Sequence, residues 1–428
     1  MSDGHAFTIR KPNHTEALND PTNMSDSFTE VSSQSIFGRL GDAIKGVLFG
    51  LVLIPVAIIL LFWNEGRAVK TAASLKEGAA AVVSVAADAV QPTNEGKLIH
   101  LTGEATTAES VTDPMFAVSQ TAIRLTRTVE MYQWKEEKKS KTHKKLGGGT
   151  ETQTTYTYTK HWSAQPIHSS EFNQPADHQN PTAMIADSLV TTAGHVTLGK
   201  FILPASIVGK LRGDQPLSPT DADLKKLPAD LQAKVKCAGD AFYVGAHPVV
   251  PATAEVDPAA PAPAGADPAA PAVGDQRVKF TVLKPATFSI LARQSGETLT
   301  AYPTKAGREI ERVEAGDVPA VAMFQHAEHE NTLLAWGLRL GGTILMALGI
   351  GLILRPLATV ADVMPFLGDL VGIGTAFAAV VVAVIISAVV IAVAWFAVRP
   401  LLSVALVAAA IGAFVVGKKI AGKKPATA

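Results

Sequence analysis

The stretch GVLFGLVLIPVAIILLFW, Gly46–Trp63, runs for eighteen residues without a charge. A helix of about 20 apolar residues crosses a hydrocarbon core of about 30 Å, so this stretch alone commits the chain to a membrane. Three more stretches meet the same standard. Leu333–Leu354 is apolar but carries Arg339, Leu370–Val398 is long and uncharged, and Leu401–Gly417 follows the interruption Arg399-Pro400. The last is short, which leaves two arrangements open: four full spans, or a third and fourth stretch that form one spanning helix and one re-entrant segment. Polar residues precede the first stretch and no small-residue cleavage site follows it, which favours a retained anchor over a signal peptide.

Orientation follows the lysines and arginines in short flanks. With four spans, Arg39, Lys45, Arg355 and the cluster Lys418, Lys419, Lys423 and Lys424 fall on one side, which the rule makes cytoplasmic. Arg67, Lys70 and Lys76 fall on the other side, at the start of a long domain where the rule counts for less. The expected organisation is a disordered cytoplasmic tail at 1–43 and spans at 44–63, 333–354, 370–398 and 401–417. An extracytoplasmic domain occupies 64–332, and a basic cytoplasmic tail closes the chain at 418–428.

The 428 residues hold 38 basic and 38 acidic side chains, so no global field points to nucleic acid. The single cysteine, Cys237, excludes an intramolecular disulfide and any zinc site built from two thiolates of one chain. Pro251–Val273, an Ala-Pro repeat, favours extended polyproline II and reads as a loop insertion in the domain.

Within the domain, Gly78 after Lys76-Glu77 predicts the stop of a short helix over 65–77. AAVVSV and KLIHLTG predict two strands joined through Pro92–Glu95. Ile123, Leu125, Val129 and Met131 alternate with polar residues, run into the turn EEKKSKTHKKLGGG and return as TQTTYTYTKHW, which predicts a long β-hairpin. RVKFTVL, ATFSILAR and TLTAY predict further strands, and helices are expected over 181–191 and 220–235. The fold class is an α-helical multi-pass membrane protein of four spans with a large α+β extracytoplasmic domain containing an antiparallel sheet.

Several segments in order resemble the transmembrane protein 43 (LUMA) family. They are NEGRAVKTAASLKEG (64–78), NEGKLIHLTGEA (94–105), IRLTRTVEMYQWKEE (123–137) and YTYTKHWSAQPIHSSEFNQPADHQNPTAM (156–184). After the linker come VGDQRVKF (273–280), SILARQSGETLTAYPTKAG (289–307) and NTLLAWGLRLGG (331–342). The resemblance implies four spans, cytoplasmic termini and a luminal domain. For animal members it implies the endoplasmic reticulum and inner nuclear membrane, self-association through the spans, and scaffolding with emerin and lamins. It implies no enzymatic activity and no cofactor. The Ala-Pro linker and the long N-terminal tail depart from the animal pattern, and they suggest a bacterial relative in the inner membrane with a periplasmic domain.

The motifs of nucleotide-binding, zinc-protease and serine-hydrolase chemistry do not occur where their mechanisms need them. Gly147–Gly149 sits among lysines at a hairpin turn, not between a strand and a helix. His326 and His329 lie three apart with no third ligand, which reads as a solvated helix end rather than a metal site. His161, His168, His178 and His195 are scattered, with Asp177 and Asp187 as carboxylates that could join them. Arg339 is costly inside a span and either snorkels or pairs. Gly337 and Gly341 beside it, with Gly342, form a small-residue face for close helix approach. Trp63, Trp336 and Trp395 occupy the aromatic-belt position at the membrane interface. The expected function is a non-enzymatic membrane scaffold that forms homo-oligomers, contacts lipids and an unidentified membrane or envelope protein, and binds no nucleic acid. A channel or transport subunit and an envelope hydrolase are the alternatives.

Overall fold

A computed structural model describes residues 26–245 and 268–398. The fourth apolar stretch, 401–417, the basic tail and most of the Ala-Pro insertion lie outside the described residues. Among those described, three helices are long and apolar enough to cross a membrane, Ile36–Ala81, Ala320–Ala361 and Pro365–Val398, here α1, α2 and α3.

The first helix differs from expectation. The span and the short helix over 65–77 are one continuous element of 46 residues, with Pro55 inside it. Gly78 does not stop it, because its role is packing: a Cβ there would stand 2.3 Å from Ile310 Cδ1 and 3.0 Å from Phe324 Cε1. Ser35 caps the start, its hydroxyl accepting from the Gly38 amide. The second helix likewise starts at Ala320, so the expected domain boundary at 332 falls inside it. Glycines let α1 and α2 approach closely. A Cβ on Gly50 would lie 2.5 Å from the Gly349 carbonyl, and one on Gly342 would lie 2.6 Å from Leu61.

The tail expected to be disordered contains a strand, β1 (Asp26–Gln34). The domain strands are β2 (Val83–Ala86), β3 (Leu98–Thr106), β4 (Arg124–Lys144), β5 (Thr150–Ser163), β6 (Leu189–Thr192), β7 (Val235–Ala238), β8 (Ala241–Val244), β9 (Gln276–Leu283), β10 (Ala286–Ser295) and β11 (Arg312–Ala315). One sheet has eight strands, in the order β1-β5-β4-β9-β8-β7 with β6 and Gln215–Leu217 paired on its flank. β8 and β9 are antiparallel neighbours, so the Ala-Pro insertion is the loop of a hairpin. The second sheet has seven strands and centres on β3 and β10. Ile99 and Leu101 from β3, Leu125 and Val129 from β4, Phe280 from β9 and Ile290 from β10 are fully buried in one shared cluster.

Two helical expectations fail. Residues 181–188 form no helix and β6 follows them; 220–235 holds only the single turns Asp221–Leu224 and Ala229–Gln232 before β7. Pro228 separates those turns, since it has no amide for the ladder.

The domain meets the helices at two distant places. The second sheet sits on an apolar seat made of Leu75, Leu98, Leu291, Ile310, Met323 and Phe324, all buried. The β4–β5 hairpin meets the opposite end. At its tip, the Gly148 carbonyl accepts from Arg39 Nη1 at 2.6 Å, and Lys144 Nζ reaches Asp362 at 2.5 Å and Asp369 at 2.8 Å. Arg39 also pairs with Asp362, in the turn between α2 and α3. Arg39 and Ser74 lie about 50 Å apart along α1 at 1.5 Å per residue. The hairpin therefore runs past the level of the apolar stretch.

The pairing of β1 with β5 has a consequence for topology. β1 precedes α1, β5 follows it, and nine register pairs join them from Asp26↔Tyr158 to Gln34↔Thr150. Open sheet edges do not occur in hydrocarbon, and the exposed Lys138, Lys139 and Lys141 would each cost about 3 kcal/mol or more there. A ladder that persists in the bilayer needs β1 and the hairpin on one aqueous side, whereas a full crossing by Gly46–Trp63 between them puts them on opposite sides, so the two exclude one another and labelling decides between them. In a Cys237→Ser background, Ser33→Cys and Lys139→Cys should react with an impermeant thiol reagent from the same side of sealed vesicles. Labelling from opposite sides would show that the ladder does not persist in the bilayer.

Candidate functional site

Between the apolar stretch of α1 and the seat of the domain lies a layer of polar side chains joining the helices. Asn64 and Glu65 follow Trp63 on α1 and are almost fully buried, at 0% and 1% exposure. Asn64 Nδ2 donates to the Ala335 carbonyl of α2 at 3.0 Å, and its Oδ1 accepts from Arg67 Nη2 at 3.3 Å. Arg67 Nη1 donates to Asn331 Oδ1, and Asn331 Nδ2 donates back to the Ala68 carbonyl, both at 3.0 Å.

Glu65 is the partner of Arg339. Arg339 donates from Nε to Oε1 at 2.7 Å and from Nη2 to Oε2 at 2.8 Å, the two-pronged geometry that suits guanidinium and carboxylate. Trp395 of α3 donates its indole N–H to Glu65 Oε2 at 2.7 Å. One carboxylate therefore holds all three helices. The Arg339 guanidinium also lies over the Trp336 ring, 4.8 Å from its centroid.

Of the two expectations for Arg339, pairing is the one the structure shows. Trp395 does more than sit at an interface, since its N–H serves the ion pair. Trp63 and Trp336 are exposed. The glycines divide. Gly342 packs on Leu61 inside the chain, whereas a Cβ on Gly337 or Gly341 would meet nothing within 4 Å among the described residues. Sequence reasoning missed Glu65 because it was assigned to a separate helix. The available signal was that Arg339 needs an anion at its depth, and Glu65 lies two residues beyond the span end at Trp63.

Of the remaining candidates, His326 and His178 have local partners, whereas the buried Nδ1 of His161 has no hydrogen-bond partner among the described residues. His326 Nδ1 bonds Glu314 Oε2 at 2.9 Å. His178 stacks on Tyr158 with centroids 3.7 Å apart, and its Nδ1 lies 2.9 Å from the Gln174 carbonyl. Gly147–Gly149 form the hairpin tip against Ile36. Burial and the nearby Asp221 push the Cys237 thiol up, away from the thiolate a nucleophile needs. Among the described residues, no group of three or more His, Cys, Asp or Glu is arranged to hold a metal ion.

These features define an integral membrane protein whose two-sheet domain is seated on helices joined by a buried ion pair. The family profile of transmembrane protein 43 matches residues 131–400. Rat transmembrane protein 43 is 33% identical over 394 residues, covering 90% of this chain and 89% of the rat protein. The human protein is 34% identical over 366 residues, 83% of this chain and 85% of its own length. The Drosophila homolog is 28% identical over 308 residues, 71% of this chain and 75% of its own. The chain belongs to the transmembrane protein 43 family. No solved structure matches it.

Removing one member of a buried pair strands the other. Glu65→Gln should therefore lower stability in detergent by about 3 kcal/mol or more, because Arg339 loses its counter-charge. Glu65→Leu combined with Arg339→Leu should recover most of that loss. Equal destabilisation by the single and double variants, in thermal or denaturant unfolding, would remove the pair from its central place.

Proposed function

We propose that this chain is a non-enzymatic membrane scaffold that associates with copies of itself and organises membrane or envelope protein complexes. The observation that supports self-association is the outer face of α2. Gly337, Gly341, Ile344 and Leu348 fall on one side at helical spacing and are exposed, while the neighbouring Gly342, Met346 and Gly349 are buried within the chain. The two glycines let a second helix approach at that level and gain dispersion contacts that bulkier residues would block. The ion pair bears on the channel alternative, since Arg339 is engaged within the chain by Glu65 and Glu65 also by Trp395. The bacterial inner-membrane placement rests on composition alone, and the matched relatives are animal proteins.

Gly337→Leu with Gly341→Leu provides the test. The described structure has open space at both positions, so the monomer should keep its fold, with stability changed by about 0.5 kcal/mol or less. Native mass spectrometry in mild detergent should show oligomers for the wild type and monomers for the variant. Monomers alone in the wild type would overturn the proposal. Misfolding of the variant would assign this face to the chain's own fourth apolar stretch, and would overturn it too.

A further inference from the structure

On the domain side of the apolar stretch, α1 borders an open cavity of about 540 Å³. Its lower wall is apolar: Ile58, Ile59, Phe62 and Trp63, two turns of one helix face, all exposed. Its upper rim is cationic. Arg67 and Lys70 follow one and two turns above Trp63, and Arg308 completes the rim from the domain.

The approach of Arg308 is built into the fold. It closes a tight turn, Thr304–Arg308, in which the Thr304 amide donates to the Arg308 carbonyl at 3.0 Å and Gly307 takes φ 84°. Ser74 of α1, 1% exposed, hydrogen-bonds Thr304 at 2.6 Å and fixes that turn against the helix. Three like charges thus share one cavity. Arg67 is anchored by two neutral partners, Asn64 and Asn331, and its Nε is buried without a partner. Among the described residues, neither Lys70 nor Arg308 forms an ion pair. Of the nearby carboxylates, Glu65 is engaged by Arg339 and Trp395 and Glu77 by the Lys305 amide, while the exposed Glu309 follows Arg308 and lines the adjoining cavity with Arg67.

Cations gathered at a water–hydrocarbon boundary repel one another, and an anion placed among them relieves that repulsion. The apolar wall directly below adds a second requirement, since only an amphiphile satisfies both surfaces at once. We infer that this cavity binds the phosphate headgroup of an anionic phospholipid, with an acyl chain laid along Ile58, Ile59 and Phe62. Its volume falls in the range of small-molecule pockets. Trp63 sits at the junction, where its amphipathic ring suits the headgroup level. Lys70 and Arg308 supply the attraction to the phosphate, and Arg67 holds a fixed charge at the back of the site.

The test uses the full-length protein exchanged into phosphatidylcholine nanodiscs containing a minor fraction of phosphatidylglycerol. Native mass spectrometry after release then counts the lipid retained. The wild type should retain phosphatidylglycerol in preference to phosphatidylcholine. Lys70→Gln and Arg308→Gln should each weaken that retention about five-fold, and the double variant should weaken it more than either alone. The exposed and remote Lys234→Gln should leave it unchanged. Equal retention of the two lipids, or an unaffected double variant, overturns the inference. Displacement of phosphatidylglycerol by millimolar glycerol phosphate or inorganic phosphate would make the site one for a soluble phosphate and overturn the lipid assignment. A photocrosslinker placed at Phe62 should capture lipid; capture of the chain's own 401–417 peptide would mean that the fourth apolar stretch fills the groove.

Discussion

The helices of this protein are held by a charge that could not exist there alone. Glu65 is buried beside an apolar stretch, where an isolated carboxylate would take up a proton rather than remain ionised. Arg339 meets both of its oxygens, and Trp395 satisfies one of them again from a third helix. Hydrocarbon gives apolar helices little reason to prefer one partner or register over another, because lipid tails are as apolar as leucine. A two-pronged ion pair with one good geometry supplies that preference. It fixes the rotation of α1 and α2 and the height of α3, and the Gly50, Gly342 and Gly349 contacts then act at the right level.

The domain depends on the same registration. Its apolar seat needs Leu75 and Gly78 of α1 to face Met323 and Phe324 of α2, about three to four turns beyond the ion pair. At the other end, Lys144 and Arg39 converge on Asp362, so the turn between α2 and α3 is tied to the hairpin tip. The domain thus contacts α1 at two sites far apart along it, the hairpin tip at Arg39 and the seat at Leu75.

Much of the fold was legible in the residues. Runs such as Gly46–Trp63 have one viable conformation in lipid, since every backbone group must be paired within the segment. The alternation around Leu125, Val129 and Met131 marks a half-buried strand for a similarly local reason, the two-residue period of the pleat. The candidate site was half legible. Arg339 announced itself by its cost, but the sequence could not name its partner, which lies 274 residues away. The helix expected over 220–235 is broken locally at Pro228, and the one expected over 181–191 is replaced at its end by the strand Leu189–Thr192.

Sequence alone therefore marked the three described apolar helices, most of the domain strands and the place where charge is expensive, because each follows from the solvent or the backbone period acting on adjacent residues. Tertiary structure alone decided that the strand before α1 pairs with a strand after it, that Gly342 faces inward while Gly337 and Gly341 face outward, and that Arg308 joins Arg67 and Lys70 around one cavity. The physical reason is common to all three. Rotation about a helix axis, strand order in a sheet and the landing place of a turn are set by contacts between distant segments, and no local periodicity encodes which distant segment will arrive.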